Sequence, residues 1–375
     1  MEFIFALIAL VSWSGSDLFS KKGTAQKDKY SHWRVIFWVG VVMGAHAILT
    51  IVLSAIFGES LLEAGPFIAS LFYTDFVPFD FVKYLPVAFI YLLAMVIGYI
   101  GLRYIELSVS SPICNASGSL ALVLIVILGA LGVFTEPAEL KIIDICAVVV
   151  ITAGIIGLGF VEYRESDEIK ALRSDGTQFK YTKSFIAILI PIIYLLLDAI
   201  ATVGDEYLFT LRNCLECGQF IGTDTICSHC GFIFSEDLIE EGIGIILGDY
   251  NANTAFEFTS LCFALFAFIW VTFVKKGNMF KLTIEETIDG QTVEKTVPFS
   301  KNLIIGGTCE TLGQIFYMAV VASDFVAGLP MISSYCVLSV VWSRIFLKEK
   351  LSFKHYIAIF LTLAGIVALG ISEVL

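Results

Sequence analysis

Apolar residues fill this chain in blocks of about twenty, cut by short polar connections. At 1.5 Å per residue a helix of that length crosses the ~30 Å hydrocarbon layer of a bilayer. The pattern predicts ten membrane-spanning helices, at residues 2–20, 34–57, 84–105, 111–134, 141–161, 184–208, 253–274, 302–323, 327–347 and 355–373. Spans three to five and eight to ten are joined so tightly that they must run antiparallel to their neighbours. A membrane β-barrel is excluded, because its strands alternate apolar and polar residues in segments of about ten. The first block, "MEFIFALIALVSWSG", has the apolar length of a secretory leader but no basic residue ahead of it, only Glu2. It is read as a permanent helix.

The pattern is written twice. "TAGIIGLG" (152–159) matches "LAGIVALG" (363–370), and "IELSVSSP" (105–112) matches "SDFVAGLP" (323–330). Trp13-x3-Asp17 in the first span matches Tyr194-x3-Asp198 in the sixth. Two five-span units follow, 1–162 and 184–375, joined by a linker at 163–183. Five is odd, so the second unit enters the membrane from the opposite side. The expected fold is an all-α polytopic membrane protein of two inverted repeats, an architecture that puts a solute site near the midplane between the copies.

Ten helices in two five-helix units, the aromatic-rich first span, the mid-chain "SVSSPICNAS" and the stretch "LPMISSYCVLSVVWSRIFLKEKLS" resemble the drug/metabolite transporter superfamily, EamA-like branch. The last stretch is similar to that family's Pro-started helix with its acidic "L-x-E-x-L" turn, here Leu347 to Leu351 around Glu349. The resemblance implies a transporter by alternating access, with spans 1, 3, 4, 6, 8 and 9 around a central cavity. It covers the helical frame and leaves out two insertions, 209–250 and 277–300.

Composition agrees. The 375 residues are 58% hydrophobic and only 15% charged, with a mean hydropathy of +0.87, too little charge to coat a soluble domain of this size. The net charge is −12, with nine acids against Arg212 alone in residues 205–252. Nothing basic enough to hold nucleic acid is present. Of the 23 Lys and Arg, 20 fall on connections 1–2, 3–4, 5–6, 7–8 and 9–10, which positive-inside reasoning assigns to the cytoplasm, with both termini outside. A multi-pass protein of the plasma or inner membrane is expected, and a homodimeric assembly is left open.

Two local motifs stand apart from the spans. "NCLECGQFIGTDTICSHCG" (213–231) sets Cys214, Cys217, Cys227 and Cys230 as two Cys-x-x-Cys-Gly turns. Four thiolates so spaced suit a structural Zn²⁺, closed to water and substrate, stapling a loop too small for its own core. Two disulfides paired across the turns, or an iron site, are the alternatives. His229 is expected to face solvent. "KLTIEETIDGQTVEKTV" (281–297) alternates around Asp289-Gly290 and predicts a hairpin.

Polar residues inside the spans carry the candidate chemistry, since a charge at mid-bilayer costs about 2.5–3.5 kcal/mol and persists where it faces a cavity or partner. Glu310 shares a helix face with Gln314 and Tyr317. Asp198 has Tyr194 and Thr202 one turn either side. These acids are the candidates for cation contact and for H⁺ as coupling ion. Asp17 lies near an interface within reach of Lys21, and Trp13 offers a stacking face. Asn115, Ser117 and Ser119 after Pro112, and Ser333, Ser334 and Tyr335 after Pro330, suit a cavity wall in the first turn of each helix. His46 reads as a packed histidine. There is no phosphate loop, no H-E-x-x-H and no nucleophile triad, so no enzyme is expected. The expected activity is secondary transport of a small polar or cationic metabolite. The alternatives are a membrane-anchored sensor or scaffold that recruits a partner through the cysteine loop, and a flippase for lipid-linked substrates.

Overall fold

A computed structural model describes residues 1–23, 30–104, 114–134, 140–164, 185–235, 237–238, 243–288, 291–323, 325, 327–346 and 352–374. The apolar blocks form α1 (Glu2–Gly23), α2 (Ser31–Phe57), α5 (Pro78–Tyr104), α6 (Ser117–Ala130), α7 (Ile142–Arg164), α8 (Phe185–Thr210), α9 (Asp249–Ile269), α10 (Asn302–Val321), α11 (Gly328–Ser333), α12 (Tyr335–Phe346) and α13 (Phe353–Val374). Five of these, α1, α2, α5, α10 and α9 with its continuation to Val274, are long and apolar enough to cross a membrane. Shorter apolar helices lie within Ser117–Ala130, Ile142–Gly157, Gly328–Trp342 and Phe353–Leu369. The chain is a helical membrane protein.

Three departures from the apolar pattern are informative. The connection after α2 contains two short helices, α3 (Ser60–Glu63) and α4 (Pro66–Phe72), too brief to register as spans. Pro66 sits at the first helical position, where its missing N–H costs nothing, and Phe67 stacks on Phe316 at 5.3 Å. The block 327–347, expected as one helix, is interrupted between α11 and α12, where the Ser334 amide turns back to the carbonyls of Pro330 and Met331. The other copy has a turn in the matching place, at Asn115 and Ala116, ahead of α6. The 105–113 segment with Pro112, the acidic turn 347–351 and Asp289-Gly290 lie outside the described residues.

Helix α1 packs along α10, α8 along α5, α2 along α9, and α7 along α13. Helix α2 also touches α10, and α9 touches α5; α1 reaches α11 and α12, as α8 reaches α6. Apolar surface gains little by leaving lipid, so close packing must hold such helices together. Gly154 of α7 and Gly365 of α13 show how close: a Cβ on the first would stand 2.1 Å from Thr362 Oγ1, and one on the second 2.6 Å from Ile151 Cγ1.

The expected hairpin is present, β3 (Lys281–Ile288) pairing antiparallel with β4 (Gln291–Pro298) and closing Ile288 against Gln291. Its root is clamped by Arg34 at the start of α2. That guanidinium donates to the carbonyls of Met279 (3.1 Å), Asn278 (2.7 Å) and Lys281 (2.9 Å).

Candidate functional site

Where α1, α5, α8 and α10 meet the first turns of α6 and α11, a cavity of about 50 Å³ opens, room for a few water molecules. Asp198 of α8 and Glu310 of α10 line it, together with Trp13, Tyr91, Tyr194, Gln314, Tyr317 and Tyr335. Asn115 and Ser117 come from the first broken segment and Ser333 from the second. Of the side chains offered as cavity or coupling candidates, Asp17, Ser119 and Ser334 fall outside this cavity, Ser119 because its hydroxyl pairs with Thr152 Oγ1 of α7 at 2.7 Å. The Ser334 hydroxyl turns back to Met331 O at 2.6 Å. Asp17 accepts from Ser339 Oγ of α12 at 3.0 Å, a lateral tie rather than a wall position, with Lys21 acting on it electrostatically.

The geometry is set by glycines opposite the aromatics. Trp13 lies against Gly313, where a Cβ would come 2.3 Å from the indole Cδ1, and Tyr194 lies against Gly98, where it would come 3.0 Å from the ring. Trp13 then meets Tyr317 at 5.1 Å and Tyr335 at 5.8 Å, ring centre to ring centre. Ser117 Oγ donates to Asp198 Oδ2 at 2.6 Å, and Ser16 hydrogen-bonds the Glu310 side chain. Among the described residues no Lys, Arg or His lines the cavity. Two buried donors there, Trp13 Nε1 and Gln314 Nε2, have no acceptor among the described residues.

Behind Tyr91 lies an acid that pattern reading misplaced. Asp205, taken with the acidic loop, belongs to α8 and is wholly buried. Tyr84 Oη donates to its Oδ1 at 2.7 Å. The hydroxyls of Tyr91 and Tyr317 hydrogen-bond each other, and both reach Thr202 Oγ1, at 2.9 and 3.2 Å. The missed signal is a spacing of seven: Asp198 and Asp205 on α8, Tyr84 and Tyr91 on α5, each pair two turns apart on one face.

A second buried cluster ties α2 to α9. His46 Nδ1 stands 2.8 and 2.9 Å from the two Glu257 oxygens, and Nε2 stands 2.9 Å from Leu71 O of α4. Asn253 Nδ2 donates to Glu257 at 3.2 Å. His46 is thus the packed histidine expected, with a partner the sequence did not suggest.

On the far side, the insertion begins where α8 ends. Strand β1 (Arg212–Asn213) pairs with β2 (Phe220–Gly222), and the Ile246 amide donates to Leu211 O. Lys83 of α5 pins this root by donating to Ile246 O at 2.7 Å while paired with Asp80. The two cysteine turns are built alike. Gly218 N donates to Cys214 O and Gly231 N to Cys227 O, both at 2.9 Å, with the two glycines at φ +70° and +76°. The four Sγ atoms lie within 4.8 Å of one another, Cys214 to Cys230 at 3.4 Å and Cys217 to Cys227 at 3.6 Å. Sulfurs ~2.3 Å from a tetrahedral ion would stand ~3.8 Å apart, so the set can hold one metal ion. The backbone N–H groups of Cys230 and then His229 hold the Cys227 thiol below its ordinary range, favouring the thiolate that binds metal. His229 is exposed, as expected.

No family model and no curated protein matches the chain. A solved structure, described only as "Crystal structure of protein", superposes with a TM-score of 0.53 over 98% of this chain and 95% of its own, at 12% identity. At that identity the likeness is one of fold alone.

Proposed function

We propose that this protein is a secondary transporter of the drug/metabolite transporter type, moving a small polar or cationic solute by alternating access between two inverted five-helix units. The observation that carries the reading is the cavity: two carboxylates, a ring of aromatics and, among the described residues, no basic side chain on its wall. A cation finds charge at Asp198 and Glu310 and π faces at Trp13, Tyr194 and Tyr317. The unpartnered donors of Trp13 and Gln314 suit a solute that also carries an acceptor oxygen.

Two further features support it. Exchanging α1 with α8, α2 with α9, α5 with α10, α6 with α11–α12 and α7 with α13 maps the principal packed pairs onto one another. Trp13 on Gly313 and Tyr194 on Gly98 are related by that exchange, as are the broken segments that meet where Gly118 touches Ser333. Paired broken helices at an inter-repeat cavity are the usual setting of a transported solute. The cavity holds only a few waters, so solute entry requires the two units to part. Zinc is the metal proposed for the four cysteines, as a staple on the α8–α9 connection.

The test is a thermal-shift screen of guanidinium, choline, polyamines, amino acids, sugars and nucleosides on purified protein, followed by uptake into proteoliposomes. A ligand of the folded form raises the melting temperature. The reading requires a cation or polar metabolite whose effect is lost in Glu310→Gln and Asp198→Asn. A full screen without a shift, together with liposomes that accumulate nothing, would sink it.

A further inference from the structure

Asp205 is absent from the cavity wall and unexplained by packing. Its carboxyl is fully buried in α8, one oxygen accepting from Tyr84, with the Tyr91 hydroxyl as the second hydrogen-bonding neighbour of the carboxyl. The groups facing it are Tyr84 and Tyr91 of α5, Tyr317 of α10, and Asp198 and Glu206 of its own helix, all hydroxyls or acids, with the Met318 thioether beside Tyr84. None of these neighbours is a cation, so the carboxylate form has no charge to offset its burial. Beyond Asp205 the chain closes with buried Phe209, Leu211 and Leu247. The polar groups leading away from it run the other way, through Tyr91 and Tyr317 to the cavity they both line.

We propose that Asp205 is the proton-carrying residue of this transporter, exchanging its proton with the cavity through the Tyr91–Tyr317–Thr202 hydroxyls while Asp198 and Glu310 hold the solute. The inference rests on the transport reading above and divides the labour among its acids. In the exchange the O–H bond of the carboxylic acid breaks as one forms on the Tyr91 oxygen. Tyr91 passes its own proton to Tyr317, and that residue's proton leaves to cavity water or a cavity carboxylate. Asp205 is left as the anion with Tyr84 still donating to it, and no proton is lost from the sum.

The test is infrared difference spectroscopy of the full chain in lipid between about pH 5 and about pH 9, reading the carboxylic-acid C=O band. The wild type should show an acid component that fades as pH rises. Asp205→Asn should remove that component, Tyr84→Phe should shift its frequency without removing it, and Glu310→Gln and Asp198→Asn should leave it in place. The Tyr91→Phe/Tyr317→Phe double variant should slow its deuterium exchange at least about tenfold. A spectrum unchanged by Asp205→Asn, a component constant across the range, or exchange unaffected by the tyrosines overturns the proposal. With guanidinium as probe, Asp205→Asn should keep the thermal shift and lose the proton release measured on binding. Loss of both would make Asp205 part of the solute site and refute the division. If no compound binds the wild type, the transport reading fails by itself, and the spectra still decide whether Asp205 exchanges a proton.

Discussion

At the residue scale the cavity rests on a few atoms whose removal has calculable effects. A hydrogen bond to a charged group contributes about 1.5–3 kcal/mol, so Glu310→Gln or Asp198→Asn should weaken binding of a cationic solute roughly ten- to a hundredfold. Calorimetry on the purified variants measures this, with unchanged melting temperatures of the solute-free proteins showing that the fold is intact. Gly313 tests the shape of the site rather than its charge. A valine there puts carbon against the Trp13 indole and should cost about 1–3 kcal/mol, read as a lower unfolding temperature. The acids in mid-span were legible in the sequence because a carboxyl interrupting twenty apolar residues needs a reason. Asp205 and Glu257 were not, because each lies within a few residues of a polar connection, where an acid needs none. Only the packing of α5 on α8 and of α2 on α9 reveals that both are fully buried.

At the scale of elements, two attachments should behave differently when cut. His46 and Glu257 join α2 to α9. His46→Ala leaves the Glu257 carboxyl buried without its partner and should cost about 3–5 kcal/mol, whereas Glu257→Gln keeps a hydrogen-bonding group at the same place and should cost far less. Thermal unfolding in detergent separates the two. The cysteine loop is a unit of another kind, with two short strands. Elemental analysis should find one zinc per chain, lost in Cys214→Ser. That variant should melt earlier, and its folded fraction should transport normally if the metal is a staple. The loop's chemistry could be read from Cys-x-x-Cys-Gly repeated, because sulfur and the left-handed glycine act locally. How it is moored, through Lys83 of α5, could not, since that residue is far away in sequence.

At the scale of the whole molecule, the charge asymmetry makes a prediction about orientation. If connections rich in Lys and Arg face the cytoplasm, a membrane-impermeant amine reagent applied to intact cells should modify Lys83 and Lys141 and spare Lys275 and Lys301. The reverse pattern would invert the assignment and put the cysteine loop inside. Apolar period, block length and internal repetition were enough, from the sequence by itself, to determine a helical membrane protein with a cysteine module and a hairpin, because each depends on chemistry within a few residues of the chain. The breaks at Asn115–Ala116 and Ser334, the helices α3 and α4, and the gathering of Trp13, Asp198 and Glu310 around one small cavity were decided only by the tertiary structure. Those features depend on which helix lies beside which, and in lipid that choice is made by close packing and buried hydrogen bonds between residues far apart in the chain.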